Sequence, residues 1–501
     1  MSESTYRAQW RAWQTGPADK AELLRLARKT ANTFMDHYLC DGSYETGHIE
    51  LLCEMATSST DAVLNQIAAS VLFESIVEPL CDDFEEPQQQ IYIRVMAQVV
   101  DYCRRLNAGQ ELDTQLHRFG IFCWEDLYCR ARALQDRNLK WDKTRRVDRI
   151  YILSRVTIGA DVTIVSVLAN RLTRIFPQAQ IILLGNDKLE QLFGANKKMT
   201  IRSLEYEQHG GLAERFKSWQ MVAQLLQREE KEYGNTSIII DPDSRISQLG
   251  LLPLAVMSNY FFFNSRGDSL SGQQISMSEM VNEWVDYTFG RGEFCRPAIW
   301  LAKDLTSEAR RLRAAVEPKG ITHLTTVNFG VGGNTRKRLG IHFEARLLRG
   351  LLAEPGTMLI LDKGFGPREH LGCQELLREL TDDGFASQET SFGHWNHLAN
   401  NIRVLAVDAG IGQMAALIAT SDDFIGYDSA CQHIAAALGV RGVTVFAGTN
   451  NPRFIRRWSE CSGSAARIVH ANTLSDGRGL DYEEIVERVL YERDQNIRHP
   501  K

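Results

Sequence analysis

The fold is decided by the stretch RIYILSRVTIGADVTIVSVLANRLTRIFPQAQIILL, residues 149–184. It opens with a β-rich apolar run at 149–153, continues with apolar residues at helical spacing over 162–176, and closes with a second apolar run at 181–184. A strand, a helix and a strand in this order are typical of a parallel β-α-β unit. The stretch therefore predicts a parallel sheet covered by helices.

The same rhythm continues on the C-terminal side of this stretch in two successive sets. The first set adds predicted strands at 237–240 and 260–263. The second set contains predicted strands at 324–329, 358–361, 404–407, 424–425 and 443–446. Two such sets predict two Rossmann-like, doubly wound domains that face each other across a cleft. Because ligands of such sheets bind outside the carboxyl ends of the strands, the turns after the strands are the places to search.

The segment on the N-terminal side has a different texture. Apolar residues recur at helical spacing over residues 1–140, without strand-like alternation and without a motif that carries chemistry. We therefore predict an α/β protein with an all-α N-terminal domain at 1–140, a Rossmann-like domain at 141–315 and a second Rossmann-like domain at 316–501. The helical domain either packs on the other two as a structural layer or serves as a docking or oligomerisation module.

Composition and charge exclude several functions. The 501 residues carry 57 Lys+Arg against 63 Asp+Glu, and the net charge of -6 provides no overall attraction to nucleic acid. No run of about 18 uninterrupted apolar residues occurs, which predicts no membrane-spanning helix. Residues 1–16 lack the apolar core of a secretory signal, so we expect a cytoplasmic protein.

The sequence contains no convincing set of metal ligands. The ten cysteines form no Cys-x-x-Cys pair. The segment Asp241-Pro242-Asp243 superficially fits a metal site, but we interpret it as a turn at the end of a strand. We therefore expect neither a metal site nor a cofactor.

The turn after the first predicted strand contains Asp161, at the point where a loop enters a helix. Its carboxylate can cap that helix, which is a common use of aspartate. Alternatively, it faces the cleft as a general base. The residues by themselves leave both interpretations open.

The turn after the strand predicted at 324–329 combines glycines with cations. Gly332 and Gly333 allow backbone N–H groups to approach a ligand closely, and Arg336 and Lys337 suit a diphosphate. A flexible turn would show the same glycines. Phosphate binding and a plain loop therefore both remain open here.

The turn after the strand predicted at 424–425 begins with Asp428. The small residues Ser429 and Ala430 then open a helix and leave its N-terminal amides accessible to an anion. His433 lies one turn into that helix, where a functional and a structural role are both open.

These segments resemble the heptosyltransferases, which form family 9 of the glycosyltransferases and adopt the GT-B fold. Residues 155–161 (RVTIGAD) and 176–181 (FPQAQI) are similar to the family's Arg-x-Gly-x-x-Gly-Asp motif and its Tyr-Pro-x-Ala-x-Ile continuation. Residues 334–343 (NTRKRLGIHF) resemble its Lys-Arg-Trp-Pro segment, and residues 415–449 resemble its Asp-Thr-Gly-x-x-His motif and Phe-Gly-x-Thr ending. The segments follow one another in the family's order.

The resemblance implies roles for residues in two of these segments and in one further turn. Asp161 matches the family's catalytic base, which deprotonates the acceptor hydroxyl. Lys337 matches the cation that steadies the donor diphosphate, and Arg336 lies beside it. Glu369, in a Gly-Pro-Arg-Glu turn, resembles the acidic residue that bonds the donor ribose. The domain at 316–501 is accordingly expected on the donor side.

The third segment implies a further set of donor-binding residues. Asp428 matches the residue that holds donor-sugar hydroxyls, while Ser429 and Ala430 present helix amides to phosphate and His433 completes the motif. Ser429 and Ala430 depart from the family's Thr-Gly, and Ala160 replaces the glycine beside the base. Because alanine does not readily adopt a positive φ, Ala430 could reshape the phosphate loop.

The resemblance implies an inverting, metal-independent glycosyltransferase. Its donor would be a nucleotide-diphosphate sugar such as ADP-heptose, and its acceptor a glycan, a lipid-linked lipopolysaccharide core or a protein. Homo-oligomerisation through 1–140 and peripheral attachment to the inner membrane are left open. The alternative is a non-catalytic GT-B protein that binds a nucleotide sugar or a partner. An epimerase of similar fold is weaker, because its catalytic carboxylates and histidine cannot be placed.

Overall fold

The computed structural model of the chain describes residues 3–82, 85–137, 139–205, 211–460, 465–474 and 479–498. The chain forms two compact units. Unit 1 comprises Met1–Val156, Ile182–Asn186 and Arg202–Asp268, and unit 2 comprises Thr157–Ile181, Asp187–Ile201 and Ser269–Lys501. Each unit is therefore assembled from segments that are separated in sequence.

Helices and parallel strands alternate after an all-helical start. The α-helices are α1 (Glu3–Thr15), α2 (Lys20–Asp41), α3 (Thr46–Met55), α4 (Ala62–Leu72), α5 (Glu78–Asp82), α6 (Glu86–Arg104), α7 (Gln110–Arg118), α8 (Trp124–Gln135), α9 (Ile158–Ala160), α10 (Ser166–Ile175), α11 (Lys188–Phe193), α12 (Lys217–Tyr233), α13 (Met277–Phe289), α14 (Lys303–Val316), α15 (Ile341–Leu352), α16 (Pro367–Asp382), α17 (Ile411–Thr420), α18 (Ala430–Ala437), α19 (Pro452–Trp458) and α20 (Tyr482–Arg498). The strands are β1 (Arg149–Leu153), β2 (Gln180–Gly185), β3 (Met199–Ser203), β4 (Ser237–Asp241), β5 (Tyr260–Phe262), β6 (His323–Asn328), β7 (Thr357–Asp362), β8 (Ser387–Ser391), β9 (Val404–Asp408), β10 (Asp423–Tyr427), β11 (Arg441–Phe446) and β12 (Ala466–His470). π-Helical turns at Phe73–Val77 and Asp161–Val165 join α4 to α5 and α9 to α10.

The first sheet has the strand order β3-β2-β1-β4-β5. β1 pairs in parallel with β4, and β4 pairs in parallel with β5. The chain builds β2 and β3 on one side of β1, then returns to build β4 and β5 on the other. The order therefore reverses at β1 and β4, which is where a doubly wound sheet opens a crevice at its carboxyl edge.

The second sheet has the order β12-β11-β10-β6-β7-β9-β8, and all its neighbouring strands are parallel. Its central strands are almost entirely buried, as a parallel sheet covered by helices on both faces requires. The strand order reverses between β6 and β10, whose register pairs Asn328 with Gly426. The loops at 329–338 and 428–429 therefore leave the same sheet edge side by side.

The helical region shares its core with the first sheet inside unit 1. One continuous cluster of buried apolar side chains includes Trp10, Leu52 and Val95 from the helices together with Tyr151 and Leu184 from β1 and β2. The N-terminal helices therefore bury their apolar faces partly against the sheet rather than only against one another.

One part of the helical region is long and apolar enough to cross a membrane. The run Ala62–Cys81 meets that criterion by length and composition, and half of its most apolar window is buried inside the protein. Because a core helix of a folded domain meets the same criterion, this is weak evidence for a span.

The predicted fold class is confirmed: the chain is an α/β protein with two parallel sheets after a helical N-terminal region. Every predicted strand is present. Three strands that the sequence did not predict, β3, β8 and β12, lie at sheet edges. The predicted domain boundaries at 140 and 315 stay predictions.

Candidate active site

Two loops that follow neighbouring strands of the second sheet bring Lys337 and Asp428 together. Lys337 ends the short 3-10 turn Thr335–Lys337 after β6, and Asp428 follows β10 directly. The Nζ atom of Lys337 lies 2.5 Å from Oδ2 of Asp428. Asp428 is buried, whereas the Lys337 side chain is 23% exposed. The cation and the aspartate that the sequence singled out therefore form one ion pair at the strand-order reversal.

From Asp428 the contacts continue along α18. Nε2 of Gln432 donates to Oδ1 of Asp428 over 2.8 Å and lies 3.3 Å from Nε2 of His433. Nδ1 of His433 lies 2.9 Å from Oε1 of Glu460, and both side chains are buried. An imidazole that donates from Nδ1 to Glu460 can accept from Gln432 at Nε2. The two neighbours thus favour one ring orientation and one tautomer.

The N-terminus of α18 is built to leave its amides open. Ser429 is the N-cap, but its side chain makes no capping hydrogen bond among the described residues and instead donates to Oδ1 of Asn328 over 3.2 Å. The first backbone N–H groups of a helix need a partner, and an anion can supply it. Ala430 does not have a positive φ. The alanine that stands where the family has glycine is therefore accommodated here without backbone strain.

Asp161 lies in unit 2, in the helical run that contacts α18. It begins the π-helical turn Asp161–Val165, and its side chain is fully buried. Thr157 is the N-cap of this run, so the capping interpretation of Asp161 is wrong. A Cβ atom added to Gly159 would lie 2.8 Å from Cδ2 of His433. The segment that carries Asp161 is therefore packed tightly against the histidine motif.

The glycine-rich loop uses its basic residues in different ways. Gly332 has a φ of 61°, and no heavy atom lies within 4 Å of a Cβ added to Gly333, so this part of the loop is open. The guanidinium of Arg338 donates to both carboxylate oxygens of the buried Glu344, over 2.6 and 2.5 Å. Arg338 therefore anchors the loop. Arg336 is exposed, whereas the lysine beside it is paired with Asp428.

Glu369 lies in the first turn of α16, next to the same loop. A Cβ atom added to Gly330 would lie 3.3 Å from Oε2 of Glu369. That oxygen also accepts the backbone N–H of Phe365 over 2.6 Å. The structure thus brings the residue that resembles the ribose ligand to the glycine-rich loop.

Sequence reasoning missed several polar residues around this site. Nδ2 of Asn328, at the end of β6, donates over 2.6 Å to Oδ2 of Asp362, at the end of β7. Burial raises the pKa of Asp362 to about 6. A polar residue that ends a buried apolar run is a signal that could have indicated both. No local sequence pattern predicts a role for Glu460 or its contact with His433.

Asp241 and Asp243 have protein partners. Oδ2 of Asp241 accepts hydrogen bonds from the hydroxyl groups of Ser247 and Tyr260. Burial raises the pKa of this carboxyl to about 6. Asp243 is buried and paired with two arginines. These contacts support the interpretation of the segment as a turn. Among the described residues no group of three or more His, Cys, Asp or Glu is placed to hold a metal ion.

Part of the chain matches a known protein family. Residues 385–474 match the model of glycosyltransferase family 9 (heptosyltransferase). This span contains the Asp428 and His433 motif, while Asp161, Lys337 and Glu369 lie outside it. No curated protein matches the chain at a significant level of similarity.

The solved structures that resemble the chain include the following three. A glycosyl transferase of family 9 from Veillonella parvula is 14% identical, with 72% of this chain and 99% of that chain covered and a TM-score of 0.52. The ADP-heptose lps heptosyltransferase II of E. coli is 16% identical, with 70% and 98% covered and a TM-score of 0.47. The E. coli heptosyltransferase WaaC, solved with ADP, is 15% identical, with 70% and 99% covered and a TM-score of 0.45.

The comparisons confirm the predicted resemblance to the heptosyltransferases of family 9 and the GT-B fold. They support a glycosyltransferase. They do not identify the donor or the acceptor.

Proposed function

We propose that this protein is an inverting glycosyltransferase that transfers a sugar from ADP-heptose to a glycan, lipopolysaccharide or protein acceptor. One observation carries the proposal. Lys337, Asp428, Gln432, His433 and Glu460 form a continuous chain of contacts at the strand-order reversal of the second sheet. A doubly wound sheet binds its ligand at that place.

The donor diphosphate is proposed to bind between Lys337 and the amides that open α18. The lysine and the helix N-terminus supply positive charge where the leaving nucleotide diphosphate gains negative charge. Asp428 holds Lys337 in place before the donor arrives and is proposed to bond hydroxyl groups of the donor sugar. The positive charge comes from the protein, so the proposed step requires no metal ion.

The chemical step is a single displacement at the anomeric carbon. Asp161 accepts the proton of the acceptor hydroxyl as its oxygen forms a bond to that carbon, and the bond to the diphosphate oxygen breaks. ADP leaves with the electron pair. Attack opposite the leaving group inverts the configuration of the anomeric carbon.

Replacement of the proposed base tests this mechanism. Asp161→Asn keeps the shape of the side chain but cannot accept the proton, so we expect transfer to be lost while affinity for the donor changes little. The measurement is product formation from ADP-heptose with each acceptor class, alongside calorimetric titration with ADP. Undiminished turnover in Asp161→Asn would remove this residue from the mechanism.

The donor is tested by thermal stabilisation. A ligand that binds the native state raises stability by RT ln(1 + [L]/Kd). We expect ADP to raise the Tm more than UDP or GDP at equal concentration. A larger shift with UDP would overturn the proposed donor.

A second candidate function is favoured by the complete burial of Asp161. A general base must contact the acceptor hydroxyl, so a buried carboxylate would first have to become accessible. In this alternative the protein binds a nucleotide sugar without transferring it. Slow hydrolysis of ADP-heptose to free ADP by the wild-type protein would support the enzyme. Tight donor binding without ADP release, with or without acceptors, would support the binding protein.

A further inference from the structure

The aromatic side chain of Phe365 is highly exposed to solvent beside the candidate donor site. Phe365 is 85% exposed, the highest value for any large apolar side chain among the described residues. It lies in the loop between β7 and α16, at the carboxyl edge of the second sheet. Exposing so much apolar surface is unfavourable in water, so a bound partner that covers the ring would be stabilised.

The backbone holds this ring in place. Gly364 and Gly366 flank Phe365 with φ angles of 77° and 88°, a region that side-chain-bearing residues rarely adopt. The N–H of Phe365 donates to Oε2 of Glu369 over 2.6 Å, and Nε2 of His370 lies 3.2 Å from the carbonyl oxygen of Gly364. The loop is thus tied to the start of α16 by two contacts. The exposed ring is presented by a defined turn.

A cation lies over the ring. The Nζ atom of Lys188, at the start of α11, is 4.8 Å from the centroid of the Phe365 ring. A cation at this distance is attracted by the negative face of the ring. The remaining exposed surface of the ring stays available for another planar group.

We propose that Phe365, backed by Lys188, is a stacking platform for the nucleobase of the donor. This inference rests on the proposed function, because it takes Glu369 as the residue that bonds the donor ribose. The Glu369 carboxylate is hydrogen-bonded to the backbone of Phe365 itself, so a base attached to that ribose lies within reach of the ring. Stacking on one aromatic face tolerates different bases, so the platform contributes affinity for a nucleotide rather than the choice of base.

The test compares ligands with and without a base. Calorimetric titrations of the full-length protein use ADP, UDP and inorganic pyrophosphate as probes. We expect Phe365→Ala to bind ADP and UDP about tenfold more weakly, and to bind pyrophosphate as the wild type does. Leu371→Ala is the matched control, because Leu371 is also exposed (64%) and lies on α16, and it should leave all three affinities unchanged.

A second variant gives a spectroscopic readout. Phe365→Trp preserves an aromatic face, and we expect its fluorescence to be quenched by ADP but not by pyrophosphate. Equal weakening of ADP and pyrophosphate in Phe365→Ala, or unchanged affinity for ADP, would overturn the platform while leaving the proposed function intact. Absence of nucleotide binding by the wild type would overturn both.

Discussion

At the scale of single residues, the candidate site is organised by charged partners. Lys337 is held by Asp428, and His433 is held by Glu460. Charge-assisted contacts of this kind are short and direct the atoms that make them. The positions of the lysine and the histidine therefore depend on the carboxylates that hold them.

Replacement of Glu460 tests that dependence. Glu460→Gln keeps the size of the side chain but removes the charge that holds Nδ1 of His433, so we expect kcat/KM to fall about tenfold or more. Steady-state assays measure this, with Glu483→Gln as a control, because Glu483 is an exposed glutamate paired with an arginine. If both variants keep wild-type rates, Glu460 does not position the histidine.

The buried carboxyl of Asp241 predicts how stability changes with pH. Its pKa is raised from 3.8 to about 6 by burial, so between these values the folded state binds more protons than the unfolded state. Its contribution to stability is therefore largest below about pH 4 and declines as the pH rises through about 6. Asp241→Asn does not titrate, so the Tm of the variant minus that of the wild type should become more positive from pH 4.5 to 7.5.

The test is how the difference in Tm changes with pH, not its size at any one pH. The asparagine amide also alters the hydrogen bonds with Ser247 and Tyr260, and this shifts the Tm at every pH. Thermal melts at four pH values are sufficient. A difference in Tm that does not vary with pH would show that Asp241 ionises normally.

At the scale of elements, the contact between α9 and α18 joins the two predicted halves of the site. Gly159 permits it, because a Cβ at this position would lie 2.8 Å from the His433 ring and 3.4 Å from Cα of Ala430. The glycine is required here by close approach, since its φ is not positive.

Adding one methyl group tests this packing. We expect Gly159→Ala to lower the Tm by a few degrees and to weaken ADP binding, because overpacking costs about 1–3 kcal/mol and displaces His433. Gly479→Ala is the control, since a Cβ there meets no heavy atom within 4 Å and φ is not positive. Identical Tm values and ADP affinities for the two variants would contradict this account.

Edge strands show where sequence patterns fail at this scale. β3, β8 and β12 have mostly half-buried or exposed residues, for example SQETS in β8. The predicted strands are apolar runs, because central strands of a parallel sheet are covered on both faces. A partly exposed edge strand needs no continuous apolar run, so the sequences of these three strands carry little signal. The edge strand β5 is mostly buried, and its apolar run predicted it.

At the scale of the whole molecule, the helical region and the first sheet fold around one core. Residues from α1 to α8 belong to the same buried cluster as residues of β1, β2, α12 and β4. The region is thus part of the framework of unit 1. Any additional docking or oligomerisation role of residues 1–140 stays a prediction.

Deleting residues 1–140 tests the shared core. The remaining chain would expose apolar side chains such as Tyr151, Leu184 and Trp219 to water, so we expect it to aggregate. Light scattering and soluble yield measure this outcome, and co-expression of residues 1–140 as a separate chain should restore solubility. A shortened chain that stays dispersed and binds ADP normally would show that the helices are dispensable for folding.

The sequence by itself determined the alternation of strands and helices, the helical N-terminal region, and the loops at strand ends that carry Asp161, Lys337 and Asp428. These features are encoded locally, by the period of apolar residues and by glycines at turns. Only the tertiary structure decided which of these loops meet. The pairing of Lys337 with Asp428 and that of His433 with Glu460 join residues far apart in the chain.

The same distinction holds for the cores. Helical periodicity predicted that residues 1–140 have apolar faces. It did not predict which part of the protein covers those faces. Burial is decided by all segments that pack on a face, and the first sheet that covers these helices is built from residues later in the chain. Likewise, Phe365 reads in the sequence as an ordinary apolar residue, and only the folded turn between Gly364 and Gly366 places its ring in solvent.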